Sequence, residues 1–97
     1  MPNAMRPIPP GEILRDELAA LNLSASALAR ALRVPPNRVT GILGGTRAIS
    51  ADTALRLARY FGTTPEFWLN LQQSCDLRRT KQSAGKEIKR EVRPRAA

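Results

Sequence analysis

The sequence predicts an all-α fold: a compact bundle of five short helices between a short N-terminal arm and a basic C-terminal tail. Three observations predict it. Apolar residues recur at three- and four-residue spacing, and no stretch alternates as a half-buried strand does. Ser, Thr, Pro, Asn and Gly stand where helices start and stop. Charge is uneven: residues 1–77 hold eight basic and six acidic side chains, whereas residues 78–97 hold eight basic and two acidic. That last stretch has only Ile88 and Val92 as large apolar residues, too few for a core of its own. The expected organisation is an arm at 1–7, a folded unit at 8–77 and a basic tail at 78–97.

The first helix begins near Pro10-Gly11-Glu12, with a proline and an acid in the first turn, where unsatisfied amides favour them. Ile13, Leu14, Leu18 and Leu21 follow at helical spacing, and Asn22 ends it. Ser24, or alternatively Ser26, caps the second helix, which buries Leu28, Ala29 and Leu32. The third helix starts at Pro35-Pro36, buries Val39, Ile42 and Leu43, and stops at Gly44-Gly45. Ser50 caps the fourth, which buries Ala54, Leu57, Ala58 and Phe61 and ends at Gly62 as a left-handed residue. Thr64-Pro65-Glu66 opens the fifth with a cap, a proline and an acid, and Phe67, Trp68, Leu71 and Cys75 mark its apolar side.

Composition excludes much chemistry. The chain has 97 residues, 42% of them apolar, sixteen Lys+Arg against eight Asp+Glu, no histidine and one cysteine. A Cys/His zinc site needs about four such ligands. A serine or cysteine nucleophile lacks its imidazole base. One cysteine cannot form a disulfide within the chain. No apolar run approaches the ~20 residues of a membrane span, and the opening residues do not read as a signal peptide. Glu12, Asp16 and Glu17 read as a solvated face rather than a metal or acid–base site. The expectation is a cytoplasmic binding protein without cofactor or metal, and not an enzyme.

The main signal lies at about 24–44. The second and third helices are short and joined tightly through Arg33-Val34-Pro35. Ala29 stands where the two would cross, and a small side chain there lets the axes approach. Val39, ten positions on, and Ile42 face that crossing, which is the helix-turn-helix packing pattern. Packing this way leaves Pro36, Asn37, Arg38, Thr40 and Gly41 on the open side, whose first turn would enter a major groove. Asn37 can pair with an adenine edge and Arg38 with guanine or a phosphate. Thr46 and Arg47, just past the helix, are placed for the sugar-phosphate backbone. Two positions depart from the pattern: Arg33 stands where the turn usually has glycine, and Pro35 where the cap is usually Ser or Thr.

The residues also carry a resemblance. Met5-Arg6-Pro7-Ile8, Pro10 to Arg15, Leu23-Ser24, Leu28-Ala29, the dense run Ile49 to Thr63, and Glu66 to Gln72 resemble HigA-type (VapI-like) antitoxins of the lambda-repressor-like, or XRE, helix-turn-helix class. The likeness covers about residues 5–77. Pro9 stands where that family often has His, and Gly44-Gly45-Thr46 where Asn-Gly-Lys is usual. The resemblance implies a homodimer that binds double-stranded operator DNA and represses its own operon. It also implies neutralisation of a small mRNA-cleaving toxin of the HigB type. Matching the family's recognition helix puts Pro36, Asn37, Arg38, Thr40 and Gly41 at the DNA-facing positions.

Neighbouring residues on a helix lie 100° apart, so Phe67 and Trp68 cannot both face one core. One reading makes these aromatics core; the other has one of them face a partner, aromatic side chains being favoured anchors, and takes Phe67, Trp68 and Leu71 on helix five as the dimer surface. Cys75 reads as a buried small hydrophobe. The tail has three readings: solvated disorder, a phosphate-binding arm, or a segment that orders on a toxin, with 86–92 able to form a short helix. Two rival functions share this sequence: a stand-alone regulator without a toxin, and an RNA- or protein-interaction module acting through the basic tail.

Overall fold

The computed structural model describes residues 6–96; residues 1–5 of the expected arm, and Ala97, lie outside the described residues. Five helices follow in order: α1 Pro10–Leu21, α2 Ala25–Leu32, α3 Pro36–Leu43, α4 Ala51–Phe61 and α5 Pro65–Glu91. No strand occurs among the described residues.

The local punctuation explains the boundaries. Ser24 Oγ accepts from Ala27 N at 3.1 Å, Ser50 Oγ from Thr53 N at 3.3 Å and Thr64 Oγ1 from Phe67 N at 3.2 Å. These side chains satisfy amides that a helix start leaves open. Ser24, not Ser26, is thus the cap of α2. Pro9 and Pro35 cap α1 and α3 without any side-chain bond. Left-handed residues close three helices: Asn22 (φ 54°), Arg33 (φ 61°) and Gly62 (φ 73°). At α3 it is Gly45, one beyond the cap residue Gly44, that turns left-handed, at φ 79°.

The core gathers one stripe from each helix: Leu14 and Leu18, then Leu28, Ala29 and Leu32, then Val39 and Ile42, then Ala54, Leu57 and Ala58, and finally Trp68, with Ile49 between α3 and α4. α1 packs on α3 and α5, α2 on α3 and α4, and α4 on α5. Gly11 is fixed by the first of these contacts. A Cβ at that position would collide with the Ile42 carbonyl oxygen, so only glycine lets α1 lie this close to the backbone of α3.

Two expectations are corrected here. Trp68 is 1% exposed and donates Nε1–H to Thr63 Oγ1 at 2.8 Å. It is a core residue and cannot anchor a partner in this fold. Phe67, 42% exposed, lies outside the core with its ring edge-on to Trp68 at 5.1 Å between centroids. Further along the chain, the backbone does not change at position 78. α5 runs unbroken for 27 residues, so the basic segment is helical to Glu91 instead of disordered. Its last buried side chain is Cys75. Beyond that point it is a single exposed helix, which stretches the molecule to 52 × 29 × 22 Å. Leu, Arg, Lys, Gln, Ala and Glu make up most of it and outweigh Gly85, and Lys89 and Arg90 stand against the negative end of its dipole.

Candidate nucleic-acid interface

The surface in question is built on the α2–α3 pair. Ala29 (1% exposed), Val39 and Ile42 seal the inner side, as their spacing requires. The turn between them is short. Arg33 N–H bonds back to Arg30 O, and Val34 N–H to Ala29 O at 3.0 Å, closing α2 and aiming the chain into Pro35. Pro36 at the first position of α3 has no N–H to leave unsatisfied. The outer side of α3 is then held rigidly by the core beneath it.

Of the residues expected on that side, Pro36, Asn37 and Thr40 are exposed. No side-chain partner engages Asn37 among the described residues, so its amide can offer both a donor and an acceptor to a base edge. Thr40 Oγ1 donates to Pro36 O at 3.3 Å, which leaves its oxygen as an acceptor and its methyl as an apolar contact. Arg38 is half-buried and engaged: its Nη1 donates to Asp52 Oδ2 at 2.7 Å. It therefore stands on this surface as a tethered cation.

Gly41 has a different place from the one expected. Its carbonyl accepts from Thr46 N at 2.9 Å, Arg47 N at 3.1 Å and Thr46 Oγ1 at 3.3 Å. A Cβ on it would sit 3.0 Å from Arg47 Cβ. Gly41 is the seat on which the 44–47 loop folds back, and this contact carries Thr46 and Arg47 up beside α3. Arg47 is exposed and has no anionic partner among the described residues. It can take a phosphate.

Three further residues shape the site, and the sequence reading did not single out any of them. Arg15 of α1 donates Nη2–H to Leu43 O at 3.0 Å, capping the carbonyl end of α3 from a neighbouring helix. Asp52 Oδ2 accepts from Arg56 Nε at 2.9 Å as well as from Arg38. Arg56 Nη1 in turn donates to Leu32 O at 2.8 Å, at the carbonyl end of α2. The Arg56 guanidinium first, and then Arg38, hold the Asp52 carboxyl below its ordinary value of 3.8. One signal for this was present: Asp52 and Arg56 are four apart on one helix, a spacing at which opposite charges meet. Nothing local marked Arg38 as their partner.

Away from α3, Arg6 pairs with Glu12 through both guanidinium nitrogens, at 2.8 and 3.2 Å, tying the start of the described chain to α1. No group of His, Cys, Asp and Glu able to hold a metal occurs among the described residues. Nor is any described helix long and apolar enough to cross a membrane.

Comparison with known proteins matches the fold. Residues 14–68 match the helix-turn-helix family HTH_3, a span from α1 to the buried tryptophan of α5. The chain is 53% identical over 81 residues to virulence-associated protein I of Dichelobacter nodosus, covering 82% of this chain and 75% of that protein. Among solved structures it superposes on an addiction module antidote protein of a HigA family from Coxiella burnetii, with TM-score 0.90 and 58% identity over 93% of this chain and 99% of the other. It also superposes on the Pseudomonas aeruginosa antitoxin HigA with the higBA promoter, with TM-score 0.90 and 49% identity over 94% and 100%.

Proposed function

The chain belongs to the HTH_3 helix-turn-helix family and to the HigA-type antitoxins within it, and on that premise we propose how it works: a homodimer presses α3 into the major groove of its own operator and neutralises a small partner toxin. It is a DNA-binding antitoxin and transcription regulator, not an enzyme. The observation that carries the DNA reading is the outer side of α3. Core packing exposes Asn37 and Thr40 there, and the loop folded onto Gly41 sets Arg47 beside them. The P. aeruginosa relative with its promoter supports the same assignment.

In this mechanism Asn37 and the tethered Arg38 face base edges, Thr40 lies against the groove wall, and Thr46 and Arg47 hold phosphates. Pro36 shapes the entry of the helix. Neither Pro36 nor Gly41 can make a bidentate base contact, so direct readout is sparse. Part of the specificity then comes from DNA shape and half-site spacing. Two copies related by a two-fold axis place their α3 helices about one DNA turn, near 34 Å, apart. Phe67, exposed on α5, and half-buried Leu71 supply that contact. The toxin belongs to the mRNA-cleaving HigB type. The folded unit at 8–77 carries both DNA and dimer contacts, and the basic helix beyond it is left for the toxin or for phosphates.

Operator titrations at several salt concentrations test the DNA assignment. Asn37→Ala should cost ~1–3 kcal/mol on operator and little on random DNA. Arg47→Ala should weaken both and make the salt dependence shallower by about one unit per contact. Equal losses on both DNAs for Asn37→Ala would remove base reading from α3. Co-expression with the adjacent reading frame, followed by pull-down, tests the toxin; no co-purifying partner would favour a stand-alone regulator.

A further inference from the structure

Asp52 has no place in the family's DNA-facing set, yet it bonds directly to that surface. One of its carboxylate oxygens, Oδ2, accepts from two arginines at once, Arg38 at 2.7 Å and Arg56 at 2.9 Å. Arg56 is itself fixed by the Leu32 carbonyl at 2.8 Å. The result is a relay from the end of α2, through α4, to the exposed side of α3. The Asp52 side chain remains 57% exposed and that of Arg38 28% exposed. As an acid in the first turn of α4, Asp52 suits the positive end of that helix, but the helix end alone does not account for its bond to Arg38 on α3.

We propose that Asp52 is a specificity-determining residue: by tethering Arg38 it commits that guanidinium to base readout and withholds it from non-specific phosphates. Three physical points support this. Arginine loses more rotamer freedom than most side chains when it is fixed, and fixing it before DNA arrives removes that cost from the bound state. The tether occupies Nη1 and leaves Nη2–H and Nε–H to donate, so Arg38 keeps hydrogen-bonding capacity in a set direction. The carboxylate also screens Arg38 from phosphates that approach at random, which lowers the sequence-independent part of the affinity. Arg56, bonded to the Leu32 carbonyl, holds Asp52 in place from the end of α2. Asp52 thus acts as a positioning residue, through Arg38.

This proposal rests on the reading that α3 faces DNA, and its test separates the two. A duplex is selected from a random pool with the wild-type protein, and affinities for it and for a scrambled duplex are measured across salt concentrations. The proteins are the wild type, Asp52→Ala, Arg38→Ala, the double variant, and Asn37→Ala as a control on α3. Asp52→Ala removes the acceptor oxygen that an asparagine would keep, and with the tether cut it should lower the selected-to-scrambled affinity ratio about tenfold, because one well-placed arginine contact is lost. It should also steepen the salt dependence on scrambled DNA by about one unit per subunit, as Arg38 is released to a phosphate. In the Arg38→Ala background the same change should do neither. A purely structural role would leave the salt slope unmoved, and its effects would persist without Arg38.

Thermal melts check that the variants fold, and Asp52→Ser, whose hydroxyl is one bond shorter than the carboxylate oxygen, stands in if Asp52→Ala does not; Ser50 remains the cap of α4 in both. An unchanged ratio for Asp52→Ala, or a loss that survives in the double variant, overturns the proposal while Asn37→Ala still reports base reading by α3. No enrichment in the selection, or no effect of Asn37→Ala, overturns the α3 reading and the proposal with it.

Discussion

Replacing Arg33 by glycine should stabilise the protein. Arg33 closes α2 at φ 61°, ψ 46°, in the left-handed region where a Cβ crowds the following carbonyl. For an L-residue that conformation costs roughly 1–2 kcal/mol, a cost glycine does not carry. Against this gain, glycine gives the unfolded chain more freedom to lose, about 0.4–1 kcal/mol. Nothing else is given up: the side chain is exposed and makes no hydrogen bond or ion pair among the described residues, while both backbone bonds at the cap survive. The net is about 0.5–1 kcal/mol in favour of Arg33→Gly. For a domain of this size that corresponds to a rise in Tm of roughly 2–6 °C. Urea melts with a shared slope supply the assay. Arg33→Ala is the control, since alanine keeps the Cβ and should gain nothing. Asn22→Gly is the graded case. Asn22 has the same handedness at φ 54°, but asparagine tolerates it better, so a smaller gain is expected. A loss of stability in Arg33→Gly, or an equal gain in Arg33→Ala, would refute the backbone argument and locate the effect in the side chain.

The same structure separates fold from assembly on α5. Trp68→Ala should cost ~3–5 kcal/mol by opening a core cavity and unpairing Thr63, seen as a large fall in Tm. Phe67→Ala should leave the melt nearly unchanged and shift sedimentation toward monomer. Gly11→Ala should destabilise by about 1–3 kcal/mol or more, because the added methyl meets backbone, which cannot rotate away; a wild-type melt would show that α1 can slide off α3. With no histidine, stability should be nearly flat from about pH 5.5 to 8. Glu12, held low chiefly by its hydrogen bond to Arg6, and Asp52, held low chiefly by Arg56, are both depressed in the folded state. Their contribution is present above the ordinary values of 4.5 and 3.8 and is lost as pH falls through the depressed ones. Melts between pH 2.5 and 6 should therefore fall away below about pH 4, with a weaker fall in Asp52→Asn.

Local chemistry wrote most of the fold into the sequence. Ser24, Ser50 and Thr64 as caps, Asn22 and Gly62 as left-handed stops, and prolines at three helix starts each act within four residues. Such signals can be read without knowing the tertiary structure. The length of α5 could not. An isolated helix of the 78–91 kind is marginal, because nucleation is costly. Here Trp68 and Cys75 anchor the first turns in the core, and the remainder propagates from a helix already formed. The exposure of Phe67 relative to Trp68 was undecidable for a related reason. Two adjacent aromatics fix that one points away, and only packing against Phe61 and Thr63 selects Trp68 as the inner one.

The proposed recognition surface divides along the same line. Asn37, Thr40 and Arg47 could be placed from the period of α3 and the loop that follows it, because exposure on a helix is a matter of phase. Their neighbours could not, since the side chains that set them are remote in sequence. Asp52 is 14 residues from Arg38, Arg56 is 24 from Leu32, and Arg15 is 28 from Leu43. Each of these three contacts ties a charged group to α3 or to the end of α2, and each originates on a different helix from the one it steadies. The orientation of α3 is thus held by α1 through Arg15 and Gly11, and its one tethered cation by α4 through Asp52. Gly41 illustrates the consequence for reading a motif. Its position on the helix matches the DNA-facing side, yet the loop that returns over it makes it a backbone seat, and the group it presents to solvent is Arg47. Substituting alanine at Gly41 should consequently displace the phosphate contact proposed for Arg47, not a base contact, and its signature would be a shallower salt slope with sequence preference retained.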